Sequence, residues 1–175
     1  MSAIPAATPP QDAPVIRVRV GPDGLPLGAA TTMRIDRPVA VVWATLSDIE
    51  RFTSRMPMVA RARRQGDVVE VALRFRIGFF SAGFEFTANV TREELRWVEL
   101  RWISGEPRGI RLRFTLTPTD DGKACFCEGD AEFDIQSLGW LVKYFLKHHP
   151  EIQHGIFPGV SMAVVDTLRR VVMAS

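Results

Sequence analysis

The stretch "RIDRPVAVVWATLSDIERFTSRMPMVARARR", residues 34–64, changes its hydrophobic period twice, and those two changes carry the architecture. Its start completes "AATTMRIDR" (29–37), where Met33 and Ile35 fall on one face and Arg34 and Asp36 on the other, as in a half-buried strand. Pro38 suits the first helical position, where its missing N–H has no partner to lose. Val39, Val42, Trp43 and Leu46 then recur at helical spacing, which predicts a helix with Trp43 facing the core. Ser47 and Asp48 are cap residues for a second short helix, "IERFTSRM", with Ile49, Phe52 and Met56 on one side and Pro57 as its stop. "MVARARR" returns to the extended period, so two short helices separate two strands.

Downstream, from residue 58 to 135, the period is two. "MVARARR", "DVVEVALRFRIGF", "AGFEFTANVTR", "LRWVELRWISG", "GIRLRFTLTPT" and "KACFCEGDAEFDI" are six strands of an antiparallel meander. "QGD" (65–67), "FFSAG" (79–83), "REE" (92–94), "GEPRG" (105–109) and "TDDG" (119–122) are the expected turns. Strict alternation gives the sheet one wet face and one dry face. The dry face takes Val69, Val71, Leu73, Phe75 and Ile77, then Phe84, Phe86, Ala88 and Val90; it continues with Val98, Leu100, Trp102, Ile110, Leu112, Phe114 and Leu116. Arg74, Arg76, Glu85, Glu99, Arg101, Arg111, Arg113, Glu128, Asp130 and Glu132 alternate with them and should form cross-strand pairs on the wet face.

Upstream, "VIRVRV" (15–20) reads as a strand and "GPDG" (21–24) as a turn, while the Ala/Pro-rich residues 1–14 read as a flexible leader. After residue 136 the helical period returns. Ser137 is the expected N-cap of "LGWLVKYFLKHHP", with Leu138, Leu141, Val142 and Phe145 at helical spacing, and Pro150 interrupts it. A last helix is expected over 159–173, with Val160, Ala163, Val164, Leu168 and Val171 along one side. A sheet with one dry face must be covered, and this helix is the long element available to do it.

Residues 1–14 as leader and 15–175 as a single ligand-binding domain are the expected organisation, since 175 residues suffice for one sizeable core. The 22 Lys and Arg against 20 Asp and Glu are too evenly matched to build a phosphate-neutralising stripe, so no nucleic-acid partner is expected; the cluster Arg61, Arg63 and Arg64 reads as a solvated strand end. No apolar run approaches the ~20 residues that span a bilayer, and "MSAIPAATPPQDAP" lacks the pattern of a secretory signal, so a cytoplasmic protein is expected. Cys125 and Cys127, both on one face of one strand, suit neither a disulfide nor a closed metal site and read as small buried residues.

The order of strand, Pro-x-x-x-Val-Trp helix (38–43), Leu-x-Asp (46–48), the aromatic Phe52 and Met-Pro (56–57) before the next strand resembles the START-like superfamily, also called SRPBCC, of polyketide cyclases/dehydrases and lipid transport proteins. The resemblance spans roughly residues 29–173. It implies an α+β helix-grip fold, a curved antiparallel sheet wrapped around a C-terminal helix, with a cavity between them for lipids, quinones or polyketides. No cofactor is expected.

"FRIGFFSAGFEF" (75–86) packs five phenylalanines into twelve residues, which is either core or the wall of an apolar pocket. The expected ligand contacts are Phe75, Ile77, Phe84, Phe86, Leu100, Trp102, Phe114, Val164 and Leu168, with Phe79 and Phe80 at a hairpin tip as the mouth. His148, His149 and His154 are all the histidines of the chain; their spacing matches no metal pattern, and exposed linker residues are the plainer reading beside an acid/base one. Glu99 and Arg101 would meet a ligand's polar end if the register slipped. Trp140, Lys143, Tyr144, Phe145 and Lys147 are residue types that settle at a membrane interface, so a transient membrane contact through 137–158 stands beside the plainer reading of a docked helix with lysines in water. No nucleophile–base motif is present. The first functional expectation is therefore a binding or transport protein for a hydrophobic small molecule, the second a cyclase or dehydratase using the same cavity with a histidine or Glu99 as acid/base, and the third an interaction module acting through Phe79, Phe80 and 137–158.

Overall fold

The structure, a computed structural model, describes residues 13–77, 80–149 and 151–174. The expected leader up to residue 12, Gly78, Phe79 and Pro150 lie outside the described residues, as do the side chains of Arg76, Ile77, Phe80, Leu141 and Phe145. The chain forms β1 (Val15–Val20), β2 (Pro26–Ile35), α1 (Val39–Ser47), α2 (Ile49–Thr53), β3 (Val59–Gln65), β4 (Val68–Ile77) and β5 (Phe80–Glu93). It continues with β6 (Trp97–Gly105), β7 (Arg111–Pro118), β8 (Cys125–Glu132), a 3-10 turn (Ile135–Ser137), α3 (Trp140–His148) and α4 (Glu151–Met173). The strands make one sheet in the order β1-β2-β8-β7-β6-β5-β4-β3, every neighbouring pair antiparallel. Helices α1 and α2 carry the chain from β2 to the far edge at β3, and α4 lies on the dry face. This is the expected α+β helix-grip fold.

Alternation fixes which side chains turn inward. Val69, Val71, Phe84, Phe86, Ala88, Val90, Val98, Leu100, Phe114 and Leu116 are buried, with Met33, Ile35, Cys125 and Cys127 beside them. Asp48 caps α2 as its residue type predicts, accepting from Arg51 N–H at 3.4 Å. Trp43 is only half-buried: it packs against the core while its indole N–H donates to Glu93 O at 3.2 Å, tying α1 to the end of β5.

Four local expectations are corrected. The β4–β5 ladder runs on to Ile77 opposite Phe80, and Ser81, Ala82 and Gly83 pair with Arg76, Phe75 and Arg74 instead of turning. Ladder hydrogen bonds outweigh the weak turn preference of small residues, and a short connection is the favoured one for a hairpin. Ser137 is not an N-cap; it is buried in the 3-10 turn, where its hydroxyl accepts from Arg108 N–H at 2.7 Å and donates to Asp134 O at 2.6 Å, pinning the β6–β7 loop. Helix α4 begins at Glu151 and passes through Pro158. Pro158 deprives the carbonyl of His154 of its N–H partner, but His154, Gly155 and Gly159 are exposed, so water is available there. Finally, the helix buries Val172 fully and Val171 only in part.

The dry face supports two packed clusters. The larger joins α1, α2 and the C-terminal half of α4 to the middle strands through residues such as Val42, Leu46, Phe52, Phe114, Val165 and Leu168. The smaller joins Ala29, Phe84, Ile135, Leu138, Leu146 and Phe157 at the other end of α4. Leu73 packs against both.

Gly105 ends β6 at φ +91°, beside the register shift between Thr87 and Ala88, and a Cβ on it would run into the carbonyl of Glu85. Gly105→Ala should destabilise the fold by about 2–4 kcal/mol, the sum of a strained φ and a backbone clash, read as a shift in the urea midpoint. Burial pushes the Cys125 thiol up to about 11 and the Cys127 thiol higher, through burial first and then the charges of its neighbours. Both should therefore resist a thiol-specific disulfide reagent at pH 8 in the native protein and react fully in guanidinium.

Candidate functional site

Between the two clusters, which Leu73 bridges, a cavity of about 340 Å³ remains. Its sheet wall comes from alternate residues of the curved strands: Leu73 and Phe75 of β4, Ala82, Phe84 and Phe86 of β5, Leu100 of β6, and Leu112 of β7. Met56, Met58 and Val59 close one end, and Val142, Leu146 and Tyr144 of α3 the other. Across from the sheet, Ile152, Ile156, Val160 and Val164 of α4 stand four residues apart, a spacing that keeps them on one side of a helix.

The atoms facing this space are almost all carbon. Thr53 reaches the wall, but its hydroxyl donates to Ile49 O at 2.6 Å and is spent inside its own helix. Phe75 and Phe84 pack ring to ring at 6.0 Å and form a continuous aromatic surface. Arg111 and Glu132 border the cavity while holding each other at 3.7 Å.

The structure thus places Phe75, Phe84, Phe86, Leu100 and Val164 on the cavity wall. Trp102, Phe114 and Leu168 are not among its lining residues. Phe114 is fully buried in the larger cluster, edge-on to Phe52 at 5.8 Å, and Leu168 is fully buried there about one turn of α4 beyond Val164. Trp102 is half-buried and its indole N–H donates to Gly105 O at 3.1 Å at the end of β6. Phe79 and the side chains of Ile77 and Phe80 lie outside the described residues. Sequence reasoning missed the wall from Met56 to Val59 and the helical residues Ile152 and Ile156.

Glu99 and Arg101 do not reach the cavity. Glu99 turns to the other side of the sheet, where it is 4% exposed under three arginines: Arg101 at 2.8 Å, Arg111 at 3.1 Å and Arg113 at 3.5 Å. Arg113 also lies over the Trp97 ring at 4.5 Å. Burial pushes the Glu99 carboxyl up, but the Arg111 hydrogen bond and the charges of Arg101 and Arg111 outweigh it and hold the group below its ordinary value of 4.5. The row continues through Glu132 to Arg19 of β1, which bonds Glu132 at 3.2 Å and Asp130 at 2.7 Å. Arg19 reaches β8 by crossing β2 at Gly28, where a Cβ would lie 2.7 Å from its guanidinium.

The histidines are exposed and away from the wall. His148 pairs its Nδ1 with Tyr144 O at 2.9 Å, and His149 meets Glu151 at 3.3 Å. Among the described residues no group of three or more His, Cys, Asp or Glu is placed to hold a metal ion, and no helix is long and apolar enough to cross a membrane.

The family of polyketide cyclases/dehydrases and lipid transport proteins matches over residues 35–149, from the end of β2 through α3. The chain belongs to this family. Solved structures share the family fold at low identity. A conserved protein from Geobacillus kaustophilus superposes with a TM-score of 0.67 at 15% identity, covering 85% of this chain and 97% of that one. A START superfamily protein from Mycobacterium smegmatis gives 0.56 at 15% identity, covering 85% and 98%. The di-domain ARO/CYC StfQ of the steffimycin biosynthetic pathway gives 0.51 at 12% identity, covering 83% of this chain and 50% of that one. No curated protein is a significant sequence match.

Replacing the buried carboxylate strands three arginines: Glu99→Gln should cost about 1–3 kcal/mol at pH 7. Because the folded carboxyl titrates below its unfolded value, its contribution is fully present above about pH 5 and is lost as pH falls through the lowered folded value. The stability gap between Glu99→Gln and the native protein, from urea unfolding between pH 7 and 3, should stay constant at first and then shrink.

Proposed function

We propose that this protein binds or transports an uncharged hydrophobic small molecule, of lipid, quinone or polyketide-like chemistry, within residues 15–175 acting as one ligand-binding domain. The observation that carries this reading is the carbon-lined cavity between sheet and α4. Its volume lies inside the range of about 300–1,000 Å³ typical of small-molecule pockets. A cavity lined by Leu, Ile, Val and Phe gives water no hydrogen-bond partners, so an apolar ligand displaces little there that was held firmly. Each apolar Å² it removes from water contributes about 25 cal/mol. Phe75, Phe84, Phe86, Leu100 and Val164 are its proposed contacts.

The lining also bears on turnover. A cyclase or dehydratase moves protons with positioned groups, and the described wall supplies no convergent acid–base pair: Arg111 and Glu132 hold each other, and the histidines stand outside. Binding without turnover is the reading this arrangement favours.

The test is native mass spectrometry of the purified protein, followed by organic extraction of whatever travels with it, and titration with the neutral probe N-phenyl-1-naphthylamine. One stoichiometric apolar molecule, or saturable probe binding, is expected. Leu112 is half-buried and faces the cavity, so Leu112→Trp should fill the space and weaken the probe at least tenfold, about 1.4 kcal/mol, while the thermal midpoint moves little. Unchanged probe affinity in Leu112→Trp would place binding elsewhere and sink the reading.

A further inference from the structure

Helix α3 has two unlike sides. Val142 and Leu146 face the cavity. Trp140, Lys143, Tyr144, Lys147 and His148 recur three or four residues apart, share the opposite side, and are all exposed. Trp140 is 79% exposed and Tyr144 59%, the two most exposed aromatic side chains among the described residues. Leaving an indole in water has no use within the fold, whose two clusters are complete without it.

The charge on this face is of one sign. No acidic residue lies in α3, and neither Lys143 nor Lys147 has an ion-pair partner among the described residues. The acids at the ends of the helix are Glu106, near Gly139, and Glu151, which meets His149. Tyr144 belongs to both sides, since it lines the cavity and is also exposed. The edge of the cavity therefore runs along the same helix that carries the aromatic and basic face.

We propose that the outer face of α3 docks on an anionic lipid bilayer, with Trp140 and Tyr144 among the headgroups and Lys143 and Lys147 against lipid phosphates. The ligand would then pass between bilayer and cavity beside Tyr144 without crossing bulk water. This inference rests on the cavity being a ligand site. Aromatic rings that prefer the interface together with unpaired lysines are the chemistry of a surface-lying helix. A protein partner fits less well, because lysine is depleted from protein–protein interfaces. A second copy would bring Lys143 and Lys147 against the same charges.

The experiment is co-sedimentation of the full chain with vesicles of phosphatidylcholine alone and of an equal mixture of phosphatidylcholine and phosphatidylglycerol. Binding to the anionic vesicles and not to the neutral ones is expected, weakening as salt rises. Each lysine near an anionic surface is worth about fivefold in affinity, so Lys143→Glu with Lys147→Glu should lose at least about 25-fold. Trp140→Ala should weaken binding with both lysines in place. In the double variant without vesicles, N-phenyl-1-naphthylamine should bind as it does to the native protein, which separates the docking face from the cavity. No binding of the native protein to anionic vesicles, or equal binding by the double variant, would overturn the docking proposal and leave the cavity reading standing. Trp140-dependent dimerisation in sedimentation velocity without lipid would overturn it in favour of a second copy.

Discussion

A sheet of eight strands with one apolar face has more surface to cover than a single helix can reach. Strands lie about 4.8 Å apart and a helix with its side chains is about 10 Å across, so α4 can press on only part of the dry face at once. Everything else on that face answers this mismatch. Helices α1 and α2 fill one end, packing Leu46, Ile49 and Phe52 against Phe114 and its neighbours. The 3-10 turn and α3 fill the other, with Ile135, Leu138 and Leu146 against Phe157. The two fillings touch through Leu73 but leave a gap beside it, and that gap is the cavity. Its apolar character needs no separate cause, because its wall is made of the inward residues of strands and helix.

The opposite face meets a different demand. Strong curvature brings the convex side chains of β6, β7 and β8 under long neighbours, and Glu99 is carried out of water there. A carboxylate so placed is costly unless its oxygens are satisfied by charge and hydrogen bonds. Arg101, Arg111 and Arg113 supply both, and their partial exposure lets their own charges stay hydrated. The sheet is thus almost all carbon on the concave side and carries an arginine–carboxylate lattice on the convex side, which reaches the border of the cavity at Arg111 and Glu132.

How far the sequence could be read follows from the range of each interaction. Strand alternation is local, so the six-strand meander, the two short helices before it and the inward faces were legible from residues 29–135. The length of α4 was not: the helix expected over 159–173 starts at Glu151, and the stripe Ile152, Ile156, Val160 and Val164 runs on across Pro158. That stripe was the signal available. The difference between Phe86, on the cavity wall, and Phe114, in solid core, is invisible to alternation: both point inward, and what decides is that Phe52 of α2 comes down on one and not on the other. Ser137 likewise looks like a cap until the β6–β7 loop, distant in sequence, offers Arg108 N–H to it.

The crossing of Arg19 over Gly28 has a consequence beyond stability. Strand β1 is the edge of the sheet, and its arginine is anchored in β8 two strands away only because the strand between carries no side chain at that point. Position 28 is therefore held to glycine by two neighbours of different kind: a Cβ there would lie 2.5 Å from the carbonyl of Ala131, which is backbone and cannot swing aside, and 2.7 Å from the Arg19 guanidinium, which can. The evolutionary trace this geometry should leave is a glycine at 28 whatever residue stands at 19, because the backbone of β8 excludes a side chain there by itself.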